Sequence, residues 1–255
     1  MSSQLFDLTH RRALITGSTQ GIGFTLAVGL ARAGARPIIN GRSAERVAEA
    51  AGQIRGMGFD CDEMPFDVTD RPATAAAIDR IESDIGPIDI LVNNAGKQDR
   101  ETLENFKDDN WDQLMDLNVN SVFVVSRSVA KYMIERKKGK IINICSIQAA
   151  LARPSIAPYT ASKGAVANLT KGMCADWAKY NIQSNGLAPG YFETELTKNL
   201  VEDETFNAWL CNRTPAGRWG QLDELAGAAV FLASDASSFI NGHILYIDGG
   251  MGACV

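Results

Sequence analysis

Histidine, proline and cysteine are scarce in this chain of 255 residues, and it has no excess of positive charge. The two histidines, His10 and His243, lie far apart with no cysteine or carboxylate at ligand spacing, which argues against a metal site. The five cysteines, Cys61, Cys145, Cys174, Cys211 and Cys254, are an odd number without a C-x-x-C pair, which argues against a disulfide framework. They read as small apolar residues in a reducing compartment. No stretch approaches the ~18 charge-free apolar residues of a membrane-spanning helix, and MSSQLFDLTHRR has no apolar run before its basic pair. A soluble, cytoplasmic protein without membrane attachment is expected. The 25 basic against 30 acidic side chains give a net charge of -5, and no nucleic-acid-binding module is recognisable, so nucleic acid is not an expected partner. Small anions remain open, because they need only a local cluster of donors.

What the chain does have is 45% apolar and 22% charged residues, enough for a large core and a wet surface. Apolar runs alternate with longer periodic segments. Strands are expected at 12–16 (RALIT), 35–40 (ARPIIN), about 59–66, 87–94 (PIDILVNN), 140–145 (KIINIC), within 181–190 and at 243–250. Helices are expected at 21–34, 43–58 with Ser43 as N-cap, 73–85, 110–136, 157–179 and 222–234. Pro37 is awkward in a central strand but tolerable at a strand's beginning. Near-continuous apolar strands alternating with helices predict a single α/β domain over 1–255. It is a Rossmann-type doubly wound parallel sheet of about seven strands with helices on both faces. The least regular stretch, 190–220, carries Trp209 and Trp219 and reads as a loop forming a substrate flap.

Between the first strand and the first helix stands Thr16-Gly17-Ser18-Thr19-Gln20-Gly21-Ile22-Gly23. Glycines here allow a tight turn and let a dinucleotide pyrophosphate reach the helix N-terminal amides. The second strand ends in Ile39-Asn40-Gly41-Arg42, with no carboxylate to accept from a ribose diol. Arg42 can pair with a 2′-phosphate, so NADP(H) is favoured, with NAD(H) still open. Asp67 and Val68 follow the third strand, where the carboxylate could accept from the adenine amine. Asn93-Asn94-Ala95-Gly96 follows the fourth, its small residues permitting close cofactor approach.

Tyr159 and Lys163 are four apart on an expected helix and so share a face. A nearby ammonium would stabilise the phenolate and lower the tyrosine pKa. Ser146, just past the fifth strand, could bond a reacting oxygen, and Asn118 could hold a water that passes the proton outward. On these residues the sequence resembles the classical short-chain dehydrogenases/reductases across nearly its whole length. The resemblance implies Tyr159 as general acid/base, Lys163 as its partner and nicotinamide-ribose ligand, Ser146 orienting the reacting oxygen, and Asn118 completing the relay. It also brings Pro189, Gly190, Phe192 and Thr194 to the nicotinamide and implies a homotetramer packed through 110–136 and 157–179. Gln20 stands where many NADP-using members carry a basic residue.

Within that family, NICSIQAALARPSIAPYTASKGAVANLTKGM, NGLAPGYFETEL and WLCNRTPAGRWG are similar to the gluconate 5-dehydrogenases, which interconvert D-gluconate and 5-keto-D-gluconate. A sugar acid needs a cation and several polar partners, and Arg100, Gln148 and Arg153 join Ser146 and Tyr159 as expected substrate contacts. Arg218 in the flap reads either as a further contact or as a structural ion pair. Lys97, Asp99 and Ala149-Ala150 depart from that group's pattern, so another sugar acid, a ketose or a polyol stays open as substrate. So do a 3-oxoacyl-carrier-protein reductase, with the same fold and catalytic residues, and a noncatalytic NADP-sensing or scaffold protein.

Overall fold

Short apolar runs bounded by glycine and polar residues become strands when neighbouring runs can satisfy their backbone groups. In the computed structural model, which describes residues 2–194 and 197–254, seven such runs form one sheet. They are β1 (Arg12–Ile15), β2 (Arg36–Ile39), β3 (Asp62–Glu63), β4 (Ile90–Asn93), β5 (Gly139–Ile144), β6 (Ile182–Pro189) and β7 (Ile244–Ile247). Every pairing is parallel, in the order β3-β2-β1-β4-β5-β6-β7. The helices between them are α1 (Ser2–Leu5), α2 (Gly21–Arg32), α3 (Ala44–Gly56), α4 (Arg71–Arg80), α5 (Asp108–Met115), α6 (Ser121–Arg136), α7 (Ala157–Trp177), α8 (Lys198–Glu202), α9 (Glu204–Arg213) and α10 (Asp223–Ala233).

The period-two alternation of strand side chains splits the core between the two faces of the sheet. Ala13, Ile15, Val92, Ile142, Ile144 and Leu187 meet Leu26 and Leu30 of α2, Val47 and Ile54 of α3, and Leu225 and Leu232 of α10. Leu14, Ile38, Leu91 and Ile141 face the other way, onto Ile78 of α4, Val125 and Met133 of α6, and Val166 and Met173 of α7. The doubly wound layout expected from sequence is the observed one. Ser43 caps α3 by accepting from the Arg46 amide, as expected, and Asp70 caps α4 in the same way. Pro37 pairs with Ala13, but β3 joins β2 only from Ile38 onward, so its missing N–H costs no ladder bond.

Two expectations are corrected. The third strand is two residues long rather than 59–66, because the Asn40 side chain, not a neighbouring backbone, donates to the Met64 and Phe66 carbonyls at 3.1 Å each. The stretch 190–220 is not an irregular loop. It holds α8 and α9, the latter capped by Asp203 accepting from the Thr205 and Phe206 amides. Its aromatic residues pack, with Leu210 and Trp219 buried. Glu195 and Leu196, inside that stretch, lie outside the described residues.

The expected helix 110–136 is α5 and α6 joined by a wide π turn, Asp116–Asn120. This turn carries Asn118, and such turns recur at functional sites. On the opposite face α2 and α10 approach closely, and a Cβ on Gly29 would come within 2.6 Å of the Ala226 Cβ. Gly29→Val is expected to push these helices apart at a cost of about 1–3 kcal/mol. A thermal melt should record a lower Tm.

Candidate active site

β1 and β4 are neighbours although β2 and β3 intervene in sequence, so the chain leaves their carboxyl ends in opposite directions and opens a crevice. A cleft of about 800 Å³ occupies it. Every residue assigned above to cofactor or substrate lines this cleft except Ser18 and Asn118.

The glycine-rich turn forms the floor. Helix α2 starts at Gly21 with no side chain capping it, so its first amides are free for an anion. Gly21 has φ +55 and nothing within 4 Å of where a Cβ would stand, so bare backbone faces the cleft. Gly23 is packed instead, since a Cβ there would strike the Gly17 carbonyl and the Asn94 amide. Ser18 is turned into the fold: its hydroxyl donates to the Ile15 carbonyl at 2.7 Å and accepts from the Asn40 amide at 3.0 Å. It braces the turn rather than facing a ligand.

At one end of the cleft the Asn40 side chain accepts from the Gly17 amide at 3.2 Å. Asp67 accepts from the Thr69 amide and hydroxyl at 2.9 and 2.8 Å, which holds the loop after β3 in place. Arg42 is exposed at the rim, and Arg46, in the first turn of α3, hydrogen-bonds the Gln20 side chain. Sequence reasoning passed over Arg46. The available signal was its spacing of four from Arg42, beside a turn whose own basic position is Gln20. A dinucleotide fits these residues: pyrophosphate at the α2 amides, and a 2′-phosphate between two guanidiniums with no β2 carboxylate to repel it.

The middle of the cleft holds Ser146, Tyr159 and Lys163. Ser146 Oγ accepts from the Gln148 amide at 3.1 Å, which leaves its own proton free to donate. The Lys163 ammonium donates to the Ile144 carbonyl at 2.7 Å and lies 5.7 Å from the Tyr159 ring centroid. Burial pushes the Tyr159 pKa up, opposed by the Ser146 hydroxyl. That direction is opposite to the lowering expected beside Lys163, which gives one of its three ammonium protons to a main-chain carbonyl and whose own pKa is lowered by burial. Tyr159 therefore stands ready as a proton donor. Asn118 is buried beside these groups, and its side chain accepts from the Lys97 amide at 2.9 Å. It donates to the Lys97 carbonyl at 2.9 Å and the Ser162 hydroxyl at 3.1 Å, so one amide proton braces the loop after β4 and the other ties it to α7.

At the far end Arg100 and Arg153 approach one another. Partial burial and then repulsion by Arg153 lower the Arg100 pKa. The Arg153 guanidinium sits 5.4 Å from the Phe206 ring centroid, and its Nε is buried without a partner among the described residues. Lys97 is neutralised by Asp99 at 2.8 Å, so two departures from the family group pair with each other. Arg218 forms a two-pronged ion pair with Glu224 at 2.7 and 2.8 Å and does not line the cleft, which settles it as structural. Tyr191 does line it, beside Gln148, and went unassigned from sequence despite following Pro189-Gly190 directly. Thr194 and Thr197 close the wall, the Thr197 hydroxyl donating to the Phe192 carbonyl at 2.7 Å. Among the described residues no cluster of three His, Cys, Asp or Glu is placed to hold a metal, and no helix is long and apolar enough to cross a membrane.

Known proteins with this arrangement are close in sequence as well as shape. Gluconate 5-dehydrogenase of Gluconobacter oxydans (strain 621H) is 58% identical over 247 residues, covering 97% of this chain and 96% of that protein. The 5-keto-D-gluconate 5-reductase of Escherichia coli (strain K12) is 55% identical over 249 residues, covering 98% of each. The crystal structure of a gluconate 5-dehydrogenase from Burkholderia cenocepacia J2315 in complex with NADP and tartrate superposes with a TM-score of 0.98 at 59% identity, covering 100% of both chains. A family model described as short chain dehydrogenase matches residues 11–205. The chain belongs to the short-chain dehydrogenase family.

Proposed function

We propose that the protein is an NADP-dependent oxidoreductase that interconverts D-gluconate and 5-keto-D-gluconate. The observation that carries this reading is the convergence of Arg100 and Arg153 in the cleft that also holds Ser146 and Tyr159. A guanidinium pair at one end of a row of polar groups suits a sugar acid, with its carboxylate and its hydroxyls. The relatives' names point the same way, and the tartrate-bound relative pairs NADP with a hydroxy acid. A carrier-linked acyl chain would have no use for a pair of guanidiniums in the cleft.

The glycine turn, Arg42 and Arg46 hold the cofactor in this reading, with Asp67 and Val68 at the adenine. Asn94, Ala95, Gly96, Pro189, Gly190, Phe192 and Thr194 wall the nicotinamide half. Bound NADP(H) supplies the hydride for reduction and takes it up in oxidation. Ser146, held by the Gln148 amide that it accepts from, donates its proton to the substrate oxygen and fixes where that oxygen sits. Tyr159 gives its proton to the same oxygen as reduction proceeds and takes it back in oxidation. Lys163, anchored on Ile144, holds positive charge beneath the ring as that proton leaves. Asn118 keeps the Lys97 turn in position for proton passage. The segment 190–220 acts as the substrate flap, through Tyr191 and the α9 aromatics.

The reading extends to a homotetramer packed through α5–α6 and α7. Large apolar side chains exposed on or just before these helices, Leu103, Trp111 and Phe123, support it. So does open space outside Gly164. Five unpaired cysteines agree with a cytoplasmic location.

Purified protein is expected to oxidise NADPH saturably with 5-keto-D-gluconate and much more slowly with simple ketones. Absence of turnover would remove the assignment. Tyr159→Phe is expected to abolish turnover while leaving NADPH affinity, measured by fluorescence titration, close to wild type. Arg42→Ala should weaken NADPH about tenfold or more, the scale of a lost charged hydrogen bond. Its NADH affinity should barely change, and Arg46→Ala should show the same selectivity.

A further inference from the structure

Donors and acceptors in the substrate end of the cleft are not interchangeable. A guanidinium only donates, so Arg100 and Arg153 match a carboxylate, which only accepts. Gln148 offers the opposite. It is 7% exposed and lines the cleft, and its Oε1 is buried with no hydrogen-bond partner. Its Nε2 is directed at the Tyr191 hydroxyl, 3.5 Å away, so the oxygen is the free end of the amide. Neither a carboxylate nor a ketone can supply the proton this oxygen lacks, whereas a hydroxyl can. Leaving the acceptor buried and unpaired carries a desolvation penalty that a ligand hydroxyl would relieve.

The chain places Gln148 two residues after Ser146, its main-chain amide donating to Ser146 Oγ at 3.1 Å at the start of the tight turn Ile147–Ala149. The two residues therefore border the same part of the cleft, and a hydroxyl read by Gln148 is near the oxygen that Ser146 holds. Tyr191 fixes the reader. Its ring makes edge contacts with Trp209 and Trp219 at centroid distances of 6.5 and 5.9 Å, and accepting from Gln148 leaves its own proton free for the ligand.

We propose that Gln148 and Tyr191 form a hydroxyl-reading subsite that selects substrates bearing a hydroxyl on a carbon flanking the reacting one. The subsite rests on the sugar-acid reading and sharpens it. The enzyme prefers hydroxyketones and their vicinal diols over deoxy counterparts of the same charge and length.

The test compares kcat/KM for NADPH-dependent reduction of 5-keto-D-gluconate with its 4-deoxy and 6-deoxy analogues. Wild type should disfavour at least one analogue by about tenfold or more, as sites built around a substrate hydroxyl do. Gln148→Met, similar in volume but without the acceptor, should bring that ratio near unity while NADPH affinity stays unchanged. Tyr191→Phe, which releases Nε2, should lower the ratio part of the way. A wild-type ratio near unity overturns the subsite, and so does a uniform loss of rate in Gln148→Met with the ratio preserved. If wild type reduces none of the three compounds, the 5-keto-D-gluconate assignment itself falls and takes the subsite with it.

Discussion

Asparagine side chains stitch together the carboxyl ends of the parallel strands, and the cleft depends on those stitches. Where adjacent strands diverge, their last backbone groups lose ladder partners and must be satisfied otherwise. Asn94 donates to the Thr16 and Gly17 carbonyls at 2.9 Å each, while the Thr16 hydroxyl accepts from the Asn94 and Ala95 amides. Asn93 bonds its register partner Asn143 at 2.8 Å, and Asn143 reaches Thr170 of α7 at 2.9 Å. Asn40 performs the same service between the β1 turn and the segment after β3. Each of these groups, left buried and unpaired, would cost about 1–3 kcal/mol. The brace also carries chemistry: through Asn143 and Thr170 it ties β5, which ends two residues before Ser146, to the helix bearing Tyr159 and Lys163.

Charge in the cleft runs against the charge of the whole. The chain is acidic, with a net charge of -5, yet both ends of the cleft present paired arginines. Other cations nearby are cancelled: Lys97 by Asp99, and Arg218 by Glu224. The cancellation of Lys97 means that a lysine foreign to the gluconate 5-dehydrogenase pattern adds no net charge beside the substrate. Helix α9 belongs to this electrostatic arrangement, because its Phe206 lies under the Arg153 guanidinium and Tyr191 packs against Phe206.

Sequence alone was enough for the sheet, most of its helices and the line of residues at the strand ends, because short continuous apolar runs and a 3.6-residue repeat are local properties. Tyr159 and Lys163 were placed on one face for the same reason. Their spacing of four is set by helix geometry and needs no tertiary information. What could not be read were directions and competitors. Ser18 and Asn118 belong to the right motifs but turn inward, since the partners that claim them, Ile15 and Asn40 for one and Lys97 and Ser162 for the other, are fixed only when strands and loops assemble. β3 shortened because a side chain 24 residues away took the Met64 carbonyl. The stretch 190–220 has no clean apolar period, and its packing is tertiary: Tyr191, Phe206, Trp209 and Trp219 come together around α9. The amino-acid sequence by itself determined the doubly wound sheet and which residues stand at its carboxyl edge. Tertiary structure alone decided which of their polar atoms are used up within the protein and which, like Gln148 Oε1 and the Arg153 guanidinium, are left for a ligand. A hydrogen bond is consumed by whichever partner reaches it, and that reach is a property of the folded chain.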